Sequence, residues 1–280
     1  MLDLDILARS YFWFDLPVPY RINKTQEIYI YPITVKQSEM FLSWINILSI
    51  DKNSLPDAEY ISMSYLEFLV ATLLTSDNEN LAKTTALKLA SIIKVCLGID
   101  GEIIIKLNDR DKPYLSCGGI DIDGKHFEDI RRIILYQNLI DFDDNYINPD
   151  VKQAIEEVEQ LKNKNIEMPN LERRMAIITA HCGLSKETQM NMTYRSHCLL
   201  FNEVYGEVDY TSVRTAVLIG NMFSKQKNEL EDWIYKKKHG KYDAYFTDVD
   251  TYQKSMGGQG NIHSEMVSED SVNRLKDLIN

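Results

Sequence analysis

Apolar and polar positions first alternate over residues 26–33, QEIYIYPI, where Ile28 and Ile30 are set against Tyr29 and Tyr31. A period of two among β-branched and aromatic residues predicts a strand, and Pro32, with no ladder donor, predicts its end. The period then lengthens. Thr34 and Gln37 have capping-box spacing, and Phe41, Trp44, Ile45 and Leu48 recur at helical intervals, so a helix is expected immediately afterwards. The turn-like DKNSLPD, Asp51 to Asp57, separates it from two further helices. Ser64 and Glu67 cap the first, ahead of Phe68, Leu69 and Leu73. Ser76 and Glu79 cap the second, which carries Leu81, Leu87, Leu89, Ile92, Ile93 and Val95 and should close at Gly98.

β-Branched residues return at Glu102 to Leu107, EIIIKL, and Asp123-Gly124 is a favoured type I′ turn pair. Residues 102–122 are therefore expected to form a small antiparallel sheet, to which Ile28 to Tyr31 is a candidate addition.

From Phe127 the pattern is helical: Phe127, Ile130, Ile133, Ile134 and Leu135 make one broad apolar face. Asn148-Pro149-Asp150 has the order of a cap, a first-turn proline and a first-turn acid. The helix it starts carries a stripe at Val151, Ile155, Val158 and Leu161 that needs a partner face. Three short helices are expected after it, Leu171 to Cys182, Thr193 to Tyr205 and Thr211 to Ile219, each stopped by a glycine: Gly183, Gly206 and Gly220. Beyond Gly257 the chain is polar and glycine-rich, with a marginal last helix around Val272 to Ile279. These elements amount to an α+β fold, mainly helical, with a small antiparallel β element in the N-terminal half followed by a bundle of short helices. Residues 1–125 form its α+β region, 126–256 its helical region and 257–280 a polar tail.

Composition changes this picture little. The chain has 280 residues, 44% of them hydrophobic, enough to bury a core without disulfide or metal staples. Cys96, Cys117, Cys182 and Cys198 show no paired spacing and read as reduced thiols in a cytosolic compartment. Asp3, Asp5 and Asp15 argue against a secretory signal in the first residues, and the best apolar stretch, Tyr65 to Leu74, is too short to span a bilayer. A net charge of −11 argues against polyphosphate backbones and anionic lipid as partners. Lys236, Lys237, Lys238 and Lys241 form a local basic run among aromatics, but close acidic neighbours make it read as a solvated segment.

Candidate chemistry concentrates in two His-Cys pairs, His181-Cys182 and His197-Cys198. Adjacent helical side chains point about 100° apart, so one member of each pair at most can face a shared ion. Cys182 keeps register with Leu171, Met175 and Ile178, and Cys198 with Tyr194, Phe201 and Tyr205. Both cysteines are therefore expected on buried faces, His181 at the surface near its helix end and His197 at the core border. A core-thiol reading is preferred to zinc. The acidic run Asp141 to Asp150 lacks the glycine and the final acid of a calcium loop, with Tyr146 and Lys152 at those places. Asp248 and Asp250 form too common a pattern to mark a catalytic pair. Phosphate-loop, nucleophile-elbow and zinc-protease signatures are absent, so no catalytic, cofactor or metal residue is nominated, and a non-enzymatic role is expected.

Taken in order, IYIYPITVKQ, DKNSLPDAEYISMSYLEFL, FEDIRRIILYQN, NPDVKQAIEEVEQLKNKN, HCGLSKETQMNMTYRSHCLLFNEV and LEDWIYKKKHGKYDAYF resemble a group of tailed-bacteriophage proteins from phages of low-GC Gram-positive hosts, encoded among tail morphogenesis genes. GLSKETQMNMTYRSHCLLF is also similar in style to the helical C-terminal parts of tail assembly chaperones. The resemblance implies a host-cytoplasmic assembly factor that binds tape-measure or tail-tube proteins; the apolar stripes read from the spacing near Val151 to Leu161 and Thr193 to Tyr205 are the faces expected to serve it. The alternative it leaves open is a structural tail protein retained in the virion. It carries no motif that assigns individual binding residues.

Overall fold

The computed structural model describes residues 2–52, 58–74, 79–144 and 169–223, together with Val151, Ala154, Ile155, Glu157 and Val158. The chain divides into two units, residues 1–144 with 169–215, and residues 145–168 with 216–280. The expected class holds: the protein is mainly helical, with small antiparallel sheets in the N-terminal half and helices after them.

The first unit begins with a helix α1, Leu4–Ser10, capped by Asp3, whose carboxylate accepts from the Ile6 amide at 3.0 Å. The apolar spacing predicts no element here. A 3₁₀ turn, Phe12–Phe14, leads to Asp15, which has a left-handed backbone (φ 57°), and then to strand β1, Val18–Arg21. β1 pairs antiparallel with β2, Glu27–Ile30, in the register Val18 opposite Ile30. The alternation predicted for β2 is real, since Ile28 and Ile30 are buried and Tyr29 and Tyr31 exposed. Its partner is different: β2 joins β1 in a separate two-stranded sheet, not the sheet at 102–122. That second sheet comprises β3, Ile103–Leu107, β4, Pro113–Cys117, and β5, Ile120–Ile122, in sequential antiparallel order.

Helix α2, Val35–Trp44, starts as expected, with Gln37 Oε1 accepting from the Thr34 amide at 2.9 Å. Short α3, Asn46–Ser49, and α4, Ala58–Ser62, precede α5, Tyr65–Leu69. The α5 box is complete: the Ser64 amide donates to Glu67 Oε2 at 2.7 Å, and the Glu67 amide to Ser64 Oγ at 3.3 Å. A π-type turn, Val70–Leu74, comes next. Helix α6, Glu79–Leu97, then ends at Gly98 as predicted, although its Leu81 and Leu87 are exposed; the proposed cap Ser76 lies outside the described residues.

The expected turn at Asp123-Gly124 is a helix start instead. Asp123 caps α7, Gly124–Asn138, by accepting from the His126 amide at 2.8 Å. Gly124 lies so close to Ser64 that an added Cβ would sit 2.5 Å from its Oγ, so here glycine serves close approach and not a hairpin. The hairpin turn is Gly118-Gly119, with φ of 56° and 82°, joining Cys117 to Ile120.

α7 is the central element, touching α1, α3, α5 and strands β2, β4 and β5. The face predicted from its spacing, Phe127, Ile130, Ile133, Ile134 and Leu135, is buried throughout. Each such side chain contributes about 1.5–3 kcal/mol on leaving water. Polar groups on α7 are also used inside. Asn138 Oδ1 accepts from the Ile33 amide at 2.9 Å and its Nδ2 donates to Ile134 O at 2.9 Å, closing the chain where β2 has ended.

Three helices follow, the last of which runs past residue 215. α8, Leu171–Cys182, matches its predicted bounds, with Gly183 at φ 69° behind it. α9, Lys186–Asn191, is an element that the apolar spacing does not predict, although Ser185 is its cap, accepting from the Thr188 amide at 3.1 Å. α10, Tyr194–Phe223, is a single helix of 30 residues and overturns the two short helices expected there. Gly206 and Gly220 lie inside it, and neither has a positive φ. A helix-interior glycine costs about 1 kcal/mol, which is a weak stop when helix-forming residues continue on both sides. The cap proposed at Asn148 to Asp150 lies outside the described residues, as do Leu161, the basic run at Lys236 to Lys241, Asp248, Asp250 and the polar tail.

Candidate functional site

The two His-Cys pairs fall on α8 and α10, which α9 joins. Gln189 of α9 is buried and acts as the hub. Its Nε2 faces Met175 O at 3.1 Å, Thr179 Oγ1 at 2.9 Å and Leu184 O at 3.1 Å, so one amide holds the end of α8 and the loop after it. Its Oε1 lies 3.3 Å from His197 Nε2. The start of α10 is bound on its other side by Asp15. That carboxylate accepts from Thr193 Oγ1 and, at 2.8–2.9 Å, from Ser196 Oγ, while Arg195 donates to Tyr136 O at 3.1 Å. Main-chain bonds from Tyr194 N to Ile33 O at 2.8 Å and from Val35 N to Met192 O at 2.9 Å tie the same segment to the entry of α2.

His197 and Cys198 are buried and His181 is exposed, as their helix positions predict. Cys182 is exposed, contrary to the expectation of a buried face. It keeps angular register with Met175 and Ile178, but it is the last residue of α8, and the chain turns away at Gly183 before anything covers it. Tyr205 departs from its predicted stripe for the same kind of reason: it is 65% exposed, beyond Val204, the last buried residue of α10. Among the described residues no group of three or more His, Cys, Asp and Glu side chains is arranged to hold a metal ion.

Arg174 governs the electrostatics of this junction. Its Nε donates to Pro169 O at 2.8 Å, and its guanidinium stands 5.4 Å from the centre of the Phe201 ring. Burial pushes the Cys198 thiol up against the opposing influence of Tyr194 and Arg174, and burial pushes Tyr194 up to about 12. Burial together with Arg174 holds His197 below the ordinary histidine range. Elsewhere burial alone raises Cys96 to about 12, and burial with Asp121 raises Cys117 to about 11. Because the thiolate is the nucleophile, native protein treated with a chromogenic disulfide at pH 8 should modify exposed Cys182 rapidly. Cys96, Cys117 and Cys198 should react only at the unfolding-limited rate, and Cys182→Ser should abolish the fast phase.

Asp144 ends the described part of the acidic run, and it is committed to α7. Arg132 Nε donates to its Oδ2 at 2.6 Å, Arg132 Nη2 to its Oδ1 at 3.1 Å and the Tyr136 hydroxyl to Oδ1 at 2.6 Å. Burial opposes the charge, but these donors outweigh it and hold the carboxyl below its usual range. The Asp123–His126 pair, 2.8 Å apart, is a helix cap in the same sense.

Apolar side chains in the open lie elsewhere. In the first unit they include Ile6, Trp13, Phe14 and Leu16 near the N-terminus, and Tyr205, Val208 and Val213 on α10, where the helix has left the core. In the second unit, Leu218, Ile219, Met222 and Phe223 of the same helix are also exposed. The stripe expected at Thr193 to Tyr205 is thus largely core, through Cys198, Phe201 and Val204, with Leu199 exposed on the opposite side and a longer run of exposed apolar residues from Tyr205 onward. Of the stripe expected at Val151 to Leu161, the described Val158 is exposed. No helix among the described residues is long and apolar enough to cross a membrane. Compared with protein-family models, curated proteins and solved structures, the chain finds no match.

Proposed function

We propose that the chain is a non-enzymatic bacteriophage tail assembly factor, chaperone-like, that binds tape-measure or tail-tube subunits in the host cytoplasm. The observation that carries this reading is the continuation of α10 past its packed portion with Tyr205, Val208 and Val213 exposed. A helix that leaves a core while keeping large apolar side chains has a face suited to another chain's amphipathic helix. The ordered resemblance of the sequence to tail-morphogenesis proteins supplies the class of partner.

Co-expression with the tape-measure protein of the same phage tests it. A soluble complex is expected, and Tyr205→Lys with Val208→Lys should release the partner while leaving the thermal midpoint of this protein within a few degrees. If tape-measure protein stays insoluble and does not co-purify, the chaperone reading fails. Stoichiometric copies of the chain in purified particles, measured by mass spectrometry, would identify it instead as a retained structural component.

A further inference from the structure

We propose that His197 makes the junction of α8, α9 and α10 a pH-sensitive latch, closed while its imidazole is neutral and opened by its protonation. The hydrogen bonds determine where the proton sits. Gln189 Nε2 is surrounded by three acceptors, Met175 O, Thr179 Oγ1 and Leu184 O; reversing the amide would aim its oxygen at two carbonyls. Gln189 Oε1 therefore faces His197, and His197 Nε2 carries the hydrogen that it accepts. Nδ1 is then the unprotonated nitrogen. It is buried without a hydrogen-bonding partner among the described residues, in a side chain with no exposed surface.

A second proton would create an N–H at Nδ1 with no acceptor among the described residues, and a cation with no carboxylate in ion-pair contact among them. The charged group that bears on the ring is Arg174 of α8, of the same sign. α9 presents neutral Gln189. On α10 itself the neighbours Tyr194 and Cys198 are neutral. The Asp15 carboxylate keeps its charge but is held on the Thr193 and Ser196 hydroxyls, and Asp141 bears on Cys198, whereas the charge that bears on the imidazole is that of Arg174. Lys36 and Glu39 of α2, which packs on α9, are exposed to water. Protonation is thus compatible only with a state in which the ring reaches water. Parting α9 from α10 is the small motion that supplies it, since α9 has six residues and one buried side chain, Gln189.

Linkage gives the sign. A histidine whose folded-state pKa lies below its unfolded value leaves stability unaffected above about pH 6.5, the reference value, and lowers it as the pH falls below that. Opening should then rise by up to about tenfold per pH unit until the closed state itself protonates.

Two measurements on the full chain test the latch. In an NMR titration of the imidazoles, His197 should show the Nε2–H tautomer and titrate below the ordinary histidine value of about 6.5. In hydrogen exchange at pH 7 and 5.5, corrected for intrinsic rates, residues 184–198 should open up to about tenfold more at the lower pH while α7 does not, and His197→Gln should remove that difference. If His197 titrates at or above that ordinary value, or exchange in 184–198 changes no more than in α7, the latch does not exist. The titration uses the natural sequence, so a poorly folded variant leaves the test intact.

Discussion

Arg131→Met is expected to destabilise the first unit by about 3 kcal/mol, read as a lower urea midpoint at unchanged slope. Arg131 lies on the face of α7 that the core covers and is 5% exposed. Its Nε donates to Leu48 O at 2.6 Å, its Nη1 to Glu128 Oε1 at 2.9 Å, and its guanidinium stands 3.9 Å from the centre of the Tyr65 ring. Tyr65 in turn donates to Ile47 O at 2.8 Å. One side chain thus holds α3 and α5 against α7. Methionine keeps much of the volume, so the loss isolates the polar part: a buried carbonyl at Leu48 without its charged donor, and a ring without its cation. Glu128 is a third exposed and can turn to water, which keeps its share small. Arg131→Lys should recover less than half, because a single ammonium cannot lie flat on Tyr65 while reaching both Leu48 and Glu128.

An arginine in such a place shows how far sequence pattern reaches. Ile130, Ile133 and Ile134 announce a buried face because apolar spacing and helix geometry share one period. Arg131 lies between them, and its identity carries no sign of the carbonyl 83 positions earlier that accepts from it. Local signals do well where the physics is local: the Ser64 box, the Gly98 and Gly183 ends of helices, and the alternation in β2. They mislead where two outcomes share one signal. Asp-Gly serves a type I′ turn and equally a capped helix beginning on glycine, and the close approach of Ser64 decides between them. Gly206 and Gly220 have the look of stops, but a glycine ends a helix only by turning left-handed, and its C-terminal neighbours decide whether it does.

The junction of α8, α9 and α10 is half legible. Helical register places Cys198 and His197 at the core, yet it cannot anticipate that Cys182, in the same register as Met175, lies beyond the covered length of its helix. Gln189 is unremarkable among polar neighbours. Burial of one glutamine turns it into the hub of the loop, and only the three-dimensional arrangement supplies the burial.

Asp15→Ala should cost about 3 kcal/mol, and comparison with two other substitutions separates the causes. The carboxylate accepts from the hydroxyls of Thr193 and Ser196 across more than 170 positions, so it fastens the N-terminal segment to the start of α10. Hydrogen bonds to a charged acceptor contribute about 1.5–3 kcal/mol each, and two sharing one acceptor do not add fully. Asp15 also has φ of 57°, a conformation that costs an alanine about 1 kcal/mol and that asparagine and glycine tolerate. Asp15→Gly should therefore lose the clasp without the backbone penalty and unfold at a slightly higher urea concentration than Asp15→Ala. Asp15→Asn should keep one acceptor oxygen and the favoured backbone, and it should lie closest to the natural protein. If alanine and glycine are equal, the backbone at residue 15 relaxes without cost. If asparagine is as poor as alanine, the negative charge at the start of α10, where the helix dipole favours an anion, carries most of the stabilisation.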